Sequence, residues 1–271
     1  PCGAKVALLG IAERPQDEQP LRASLDSEAR LLGTFGVTPE IIVSGGEPIE
    51  QILQHTSAST YDLVIIGARI KRTSGQYWRS QRTYEVIKAI PPPVLVATGE
   101  CQHLSKFLVC TGGKRYIEAA VQLTGAIAKC AGASVTLLHV MAEPPAIFAE
   151  LVRLEEDVDA LLAGNSELGQ NLRAQKESLE KIGVAAEVRV RHGLVLDQVF
   201  AELREGGHDM IVTGSSHARG PLRHYIMGDL TRSILNRATC PVLVARPATG
   251  IADGGLWKSF KRIFASSGQG A

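Results

Sequence analysis

Neither sign of charge prevails in this sequence. Its 29 Lys and Arg stand against 28 Asp and Glu, so the overall balance gives no pull toward nucleic acid, and no nucleic-acid partner is expected. No stretch approaches the roughly 18 to 20 consecutive apolar residues of a membrane span, and the N-terminus lacks the charged-then-apolar order of a signal peptide. Cysteine is sparse and unpatterned. Cys2, Cys101, Cys110, Cys130 and Cys240 are odd in number and form no C-x-x-C, which argues against a disulfide framework or a zinc ribbon and fits a reducing cytoplasm. The histidines are dispersed, with no carboxylate or second His at ligand spacing, so no metal is expected. Ser215 and Ser216 do not form a G-x-S-x-G elbow and no base can be assigned to them; no catalysis is expected either.

What the chain does have is apolar content, 45% over 271 residues, enough for one large core or two ordinary ones. It also has a repeat. Val37 to Gly67 aligns without a gap on Val184 to Gly214, with identities at Val37/Val184, Glu40/Glu187, Val43/Val190, Gly46/Gly193, Gln51/Gln198, Asp62/Asp209 and Gly67/Gly214. PVLVA recurs at 93–97 and 241–245, and AKVALLG at 4–10 echoes ASVTLLH at 133–139. Two copies of one unit account for this pattern.

Each copy alternates short β-branched runs with segments of helical period, which predicts parallel strands joined by crossover helices. In the second copy the strands are KFLVCT, SVTLLHV, EVRVRH, DMIVTG and PVLVAR, with helices starting near Tyr116, Glu150, Leu196 and Asp229. The first copy shows only AKVALLG, EIIVS, DLVIIG and PVLVA. The prediction is an α/β protein of two doubly wound parallel-sheet domains, the first lacking its opening β-α unit, at residues 1–100, and the second at 101–247. Residues 248–271 form a linker and tail. In the order 3-2-1-4-5 the absent strand is the central one, which leaves strands 2 and 4 of the first copy without their shared neighbour. The two PVLVA strands, each at a sheet edge, are expected to pair in an intramolecular pseudo-dimer.

In such sheets ligands sit outside the carboxyl ends of the strands where the winding reverses. Two loops of the second copy meet there, TGGKR and GSSHARGPLRHYIMGD. The candidate ligand-binding residues are Thr111, Gly112, Gly113, Lys114, Gly214, Ser215, Ser216, His217, Arg219, Gly228 and Asp229. Glycines permit close backbone approach, and Gly228 leads straight into a helix whose free N–H groups favour an anion. A small anionic ligand or a protein partner is the expected occupant. His217, Arg219, Arg223, His224 and Arg232 supply cations nearby, most simply as a solvated face.

The succession of strand, G-S-x-H-like loop, R-G-x-L-R, apolar pair, Gly, helix and C-P-V-L-V resembles the universal stress protein family, over both copies from Ala4 to Arg246. The resemblance implies the adenine nucleotide alpha hydrolase-like fold and a role in stress response or regulation. ATP-binding members carry G-x2-G-x9-G-S/T and an Asp at the end of the first strand. Carried onto this sequence, the three glycines fall on Ser215, Ala218 and Gly228, the Ser/Thr on Asp229, the Asp on Gly112 and the serine after it on Lys114. In the first copy the second glycine, third glycine and Ser/Thr positions hold Ile70, Ser80 and Gln81. One glycine in register and an acidic residue at the helix start imply weak nucleotide binding or none. No cofactor is called for, and ATP or AMP is the nucleotide that the resemblance admits. Thr111-Gly112-Gly113 also resembles the SGGxDS loop of PP-loop enzymes, but Arg115 and Tyr116 replace its Asp and Ser.

Two further stretches stand apart. Residues 143–170 make the second copy's helical segment 18 residues longer than the first's, as a lid or partner surface. In the tail, Leu256, Trp257, Phe260, Ile263 and Phe264 share one arc of a helical wheel and Lys258, Lys261 and Arg262 the opposite one, a basic amphipathic pattern suited to packing or to peripheral membrane contact from Leu256 to Phe264. The leading reading is a non-enzymatic universal stress protein-like module. Two alternatives stay open: the cytoplasmic regulatory domain of a membrane transporter such as a cation/proton antiporter, and an ATP/AMP-binding universal stress protein.

Overall fold

A computed structural model describes residues 3–67, 81–98, 103–112, 118–141, 158–214, 216–217, 225–226 and 229–246. The chain divides into two compact units. One holds residues 3–61 and 85–91, the other the remaining described residues.

In the first unit β1 (Ala7–Ala12) leads through a 3-10 turn at Pro15–Asp17 into α1 (Glu18–Thr34), then β2 (Glu40–Gly45) and α2 (Pro48–Ala58). The strands pair in parallel, Ala7 with Glu40 through Ala12 with Gly45, as a sheet of their own. β1 begins three residues later than AKVALLG suggests, because its bounds follow its partner. α2 starts cleanly: Pro48 has no N–H to lose, and the Glu47 carboxylate accepts from Glu50 N at 2.9 Å.

The second unit is built on a seven-stranded sheet. β3 (Val64–Gly67) precedes α3 (Gln81–Ala89), and β4 (Val94–Ala97) follows. Then come β5 (Lys106–Cys110), α4 (Glu118–Ala131), β6 (Ser134–Met141), α5 (Val158–Ala163), α6 (Glu167–Lys181), β7 (Ala186–His192), α7 (Val195–Glu205) and β8 (Met210–Gly214). A short ribbon of β9 (Ser216–His217) and β10 (Tyr225–Ile226), α8 (Asp229–Arg237) and β11 (Val242–Ala245) complete it.

The sheet order is β3-β4-β11-β8-β5-β6-β7. Read from β7, the last five strands follow the doubly wound order 3-2-1-4-5 expected for the second copy, all parallel. The four strands expected for the first copy do not share one sheet. β1 and β2 stand apart, while β3 and β4 extend the sheet of the second copy, and among the described residues no strand joins β1 to β3 as β5 joins β6 to β8. The junction is antiparallel: Val242, Leu243 and Val244 of β11 face Val96, Leu95 and Val94 of β4. The two PVLVA segments therefore pair, and each covers an edge that would otherwise template aggregation.

The core lies along the central strands, where Phe107, Leu108, Val109, Ile211, Val212 and Leu243 are buried. Each such side chain contributes about 1.5–3 kcal/mol on leaving water. α6 packs Leu172 and Leu179 into this core. Of the stretch 143–170, the described part folds as α5 and the first turn of α6; the helix expected near Glu150 lies outside the described residues.

Candidate functional site

The winding of the second copy reverses between β5 and β8. Their ladder ends at Val109 beside Val212, although the strands run on to Cys110 and Gly214. Pairing stops there, at the carboxyl ends of the strands where such sheets bind ligands.

On the β5 side, Thr111 is buried and its backbone is engaged: its N–H donates to Leu138 O at 2.9 Å, and its carbonyl accepts from His139 Nδ1 at 3.0 Å. Gly112, next along, is exposed, and a Cβ built on it would meet nothing within 4 Å. On the β8 side, Thr213 and Thr231 are both buried with their hydroxyls 3.0 Å apart, and Thr231 Oγ1 donates to Gly214 O at 3.2 Å. These bonds latch the end of β8 to the third residue of α8. Gly214 itself is exposed and open on its Cβ side.

The loop that follows is not wholly irregular. Ser216 and His217 pair antiparallel with Ile226 and Tyr225, a ribbon that the sequence does not announce. Asp229 is the first residue of α8. Thus Thr111, Gly112, Gly214, Ser216, His217 and Asp229 take places on the strand ends, the ribbon and the helix start around the reversal. Gly113, Lys114, Ser215, Arg219 and Gly228 lie outside the described residues, as do Arg223 and His224. Arg232, on α8, is set over the Tyr84 ring at 5.7 Å from its centroid, and the Tyr84 hydroxyl donates to Asn236 Oδ1 one turn further along.

Among the described residues the thiol that ends β5 is not an activated one. Burial pushes the Cys110 thiol up to about 12, and the neighbouring Cys240 adds to the rise, so it stays protonated at neutral pH and is a poor attacking group. Among the described residues no cluster of His, Cys, Asp or Glu could hold a metal ion. No described helix is long and apolar enough to cross a membrane.

Residues 103–246, more than half of the chain, match the universal stress protein family. The chain belongs to that family. The universal stress protein Slr1230 of Synechocystis is 24% identical over 187 residues, which cover 69% of this chain but 58% of the relative, so the chain spans less than two-thirds of that protein. The universal stress protein YxiE of Bacillus subtilis is 26% identical over 147 residues, 52% of this chain and 99% of its own length. Among solved structures, a universal stress protein from Archaeoglobus fulgidus superposes with a TM-score of 0.62 at 16% identity, covering 89% of this chain and 85% of that one. That likeness carries the α/β fold and its mainly parallel sheet.

The latch of Thr213 and Thr231 in this universal stress protein domain, and the anchoring of Thr111 by His139, carry no signal in the sequence. A threonine at a strand end or inside a helix is unremarkable until the other is found opposite. Cys110 is legible only as a thiol near the crevice, not as one raised by desolvation.

Proposed function

We propose that this chain is a tandem universal stress protein module that acts by binding and conformational signalling rather than by catalysis, and that it holds nucleotide weakly or not at all. The observation that carries this reading is Asp229 as the first residue of α8. A helix start attracts anions through its free N–H groups and dipole; an acidic residue there uses the same attraction and repels a phosphate. Gly112 at the end of β5, where ATP-binding members have a carboxylate, removes a further contact. A protonated Cys110 is not itself a ready nucleophile.

The tandem reading draws support from the antiparallel pairing of β4 with β11, which joins corresponding strands of the two repeats. Within this proposal the repeats are domains 1–100 and 101–247, related as a pseudo-dimer, and the protein works in the cytoplasm on a protein partner or small anionic ligand. The tail from Leu256 to Phe264 adds a reversible contact with an anionic membrane, about 1 kcal/mol for each basic residue. Sedimentation with anionic vesicles, comparing the whole chain with one ending at Gly254, tests that part.

Calorimetry with ATP and AMP tests the main part. No saturable binding tighter than roughly 1 mM is expected, and Asp229→Ser should strengthen whatever binding exists. Low-micromolar ATP binding that Gly228→Val abolishes would overturn the proposal.

A further inference from the structure

β2 and β7 are corresponding strands of the two repeats, and among the described residues each ends its sheet: β2 pairs with β1 alone and β7 with β6 alone. β7 does so with the other four strands of its repeat in place, so an open edge at this strand belongs to the winding order of the unit itself.

The two edges are furnished differently. In the gapless alignment Glu187, Arg189, Arg191 and Glu202 correspond to Glu40, Ile42, Ser44 and His55. On β7 the charges are closed among themselves: Glu187 accepts from Thr136 Oγ1 at 2.8 Å and pairs with Arg189 at 3.6 Å, and Arg191 Nε donates to Glu202 at 2.7 Å. Charged side chains along an edge discourage the addition of another strand. β2 keeps the glutamate without its partners, since Ala7 stands where Thr136 does and Ile42 where Arg189 does. Glu40 is exposed, and among the described residues its carboxylate makes no hydrogen bond or ion pair. Ser44 Oγ and His55 Nε2, 2.9 Å apart, share a hydrogen bond where the second copy has its ion pair.

Residues two apart on a strand share a face, so Glu40, Ile42 and Ser44 form a row of a lone carboxylate, an isoleucine and a hydroxyl backed by an imidazole. Such a row complements itself. When a second copy runs antiparallel with Ile42 opposite Ile42, each Glu40 falls opposite the other copy's Ser44. The backbone permits that register. Glu40 N–H donates to Val6 O at 2.9 Å and Gly46 N–H to Ala12 O at 3.1 Å, both toward β1. Alternation then turns the amides of Ile41 and Val43 to the open edge, where Ile41 of one copy can exchange hydrogen bonds with Val43 of the other. Ile42 with Ile42 and Glu40 with Ser44 become the non-hydrogen-bonded pairs, whose side chains stand closest.

We propose that the β2 edge is a homodimer interface: two copies of this chain join antiparallel about a two-fold axis through Ile42, with Glu40 of each on the Ser44–His55 pair of the other. A closed two-fold contact leaves neither β2 edge open to further strands. The inference is independent of whether the crevice binds nucleotide.

Sedimentation velocity of the 271-residue chain should give a coefficient that rises toward that of a dimer between roughly 1 and 300 µM protein, with hydrogen exchange across residues 40–45 slowing over the same range. Ile42→Arg, which copies Arg189 of β7, should leave a monomer. Glu40→Lys, an exposed change, should weaken dimerisation about tenfold, and Glu40→Lys combined with Ser44→Glu should restore it. Residues 40 and 44 of one strand lie about 13 Å apart, so that rescue acts only between copies. A monomer throughout, a dimer indifferent to Ile42→Arg and Glu40→Lys, or a double variant no better than Glu40→Lys overturns the proposal. So does exchange at residues 40–45 that is slow at every concentration and quickens in a chain ending at Gly254, which assigns the edge to the chain's own tail.

Discussion

Gln198 sets its side-chain amide nitrogen 3.1 Å from the point where a Cβ on Gly193 would stand, beside a backbone whose φ is +124°. Gln51 stands 3.3 Å from the same point on Gly46, where φ is +130°. Each glycine follows one strand and donates its N–H to the end of that strand's parallel neighbour, Gly193 to Met141 O of β6 at 3.0 Å and Gly46 to Ala12 O of β1 at 3.1 Å. Two of the seven identities that define the repeat are therefore one structural device, a turn from the third strand into its helix.

Substitution at that turn follows directly. Gly193→Ala should cost about 1–3 kcal/mol, since a side chain is disfavoured at this φ and would crowd Gln198. Gly46→Ala should cost a similar amount, and Gln198→Ala under about 1 kcal/mol. Urea unfolding monitored by circular dichroism measures all three. A loss below about 0.5 kcal/mol for Gly193→Ala would mean that the turn tolerates a side chain after all.

Much of this architecture is legible in the sequence because its strands are apolar runs bounded by Gly and Pro. Lys106–Cys110, Met210–Gly214 and Val242–Ala245 lie where the β-branched residues cluster. The doubly wound order follows from alternation of strand and helix. The ribbon of Ser216–His217 with Tyr225–Ile226 was hidden, because two-residue strands have no period to detect. The split of the first copy between two sheets was visible only as a missing neighbour. Buried polar networks escaped for another reason: Glu202, in the middle of a helix, reads as one more solvated charge, yet only 2% of it is exposed. The ligand-facing loops remain the least legible part, since their roles depend on atoms brought together from β5, β8 and α8.

Glu202 is held by Arg191, whose Nε donates at 2.7 Å and which also reaches Glu205 at 2.5 Å. This links the edge strand β7 to α7. Arg191→Met keeps the bulk but leaves a buried carboxylate without its cation, and a loss of about 3 kcal/mol is expected. The double variant Arg191→Met with Glu202→Met should recover at least half of that loss. Additive losses would show that the pair does not act as one unit.

His208 gives the stability a pH dependence. Burial pushes its imidazole below the ordinary value and Lys106 acts the same way, while the Glu202 carbonyl and the Glu202 and Glu187 carboxylates oppose them. Its Nδ1 faces Glu202 O at 3.1 Å, and its Nε2 has no partner among the described residues. With the folded value below the unfolded one near about 6.5, the unfolded chain binds more protons between them. The contribution is thus whole above that pH and lost as pH falls through the folded value. Glu187 acts in a more acid window. Burial pushes its carboxyl up, but Thr136, Arg189 and Lys106 outweigh that and hold it below the usual range. Urea midpoints between pH 7.5 and 5.0 should therefore fall more steeply for the natural chain than for His208→Gln. Parallel slopes would assign the acid sensitivity elsewhere.

The crevice itself can be probed through its thiol. Cys110 ends β5 and is partly buried, its thiol raised to about 12 by desolvation, whereas Cys130 at the far end of α4 is exposed. A thiol at that value is about one ten-thousandth thiolate at pH 8, against roughly a quarter for an ordinary cysteine. Alkylation by iodoacetamide at pH 8, followed by mapping of the modified peptides, should label Cys130 at least about a hundredfold faster than Cys110. In denaturant the two rates should converge, because unfolding removes both the burial and the nearby Cys240. Rapid labelling of Cys110 in the folded chain would mean that water and reagents reach the end of β5 freely, and would remove one support from the non-catalytic reading of the site.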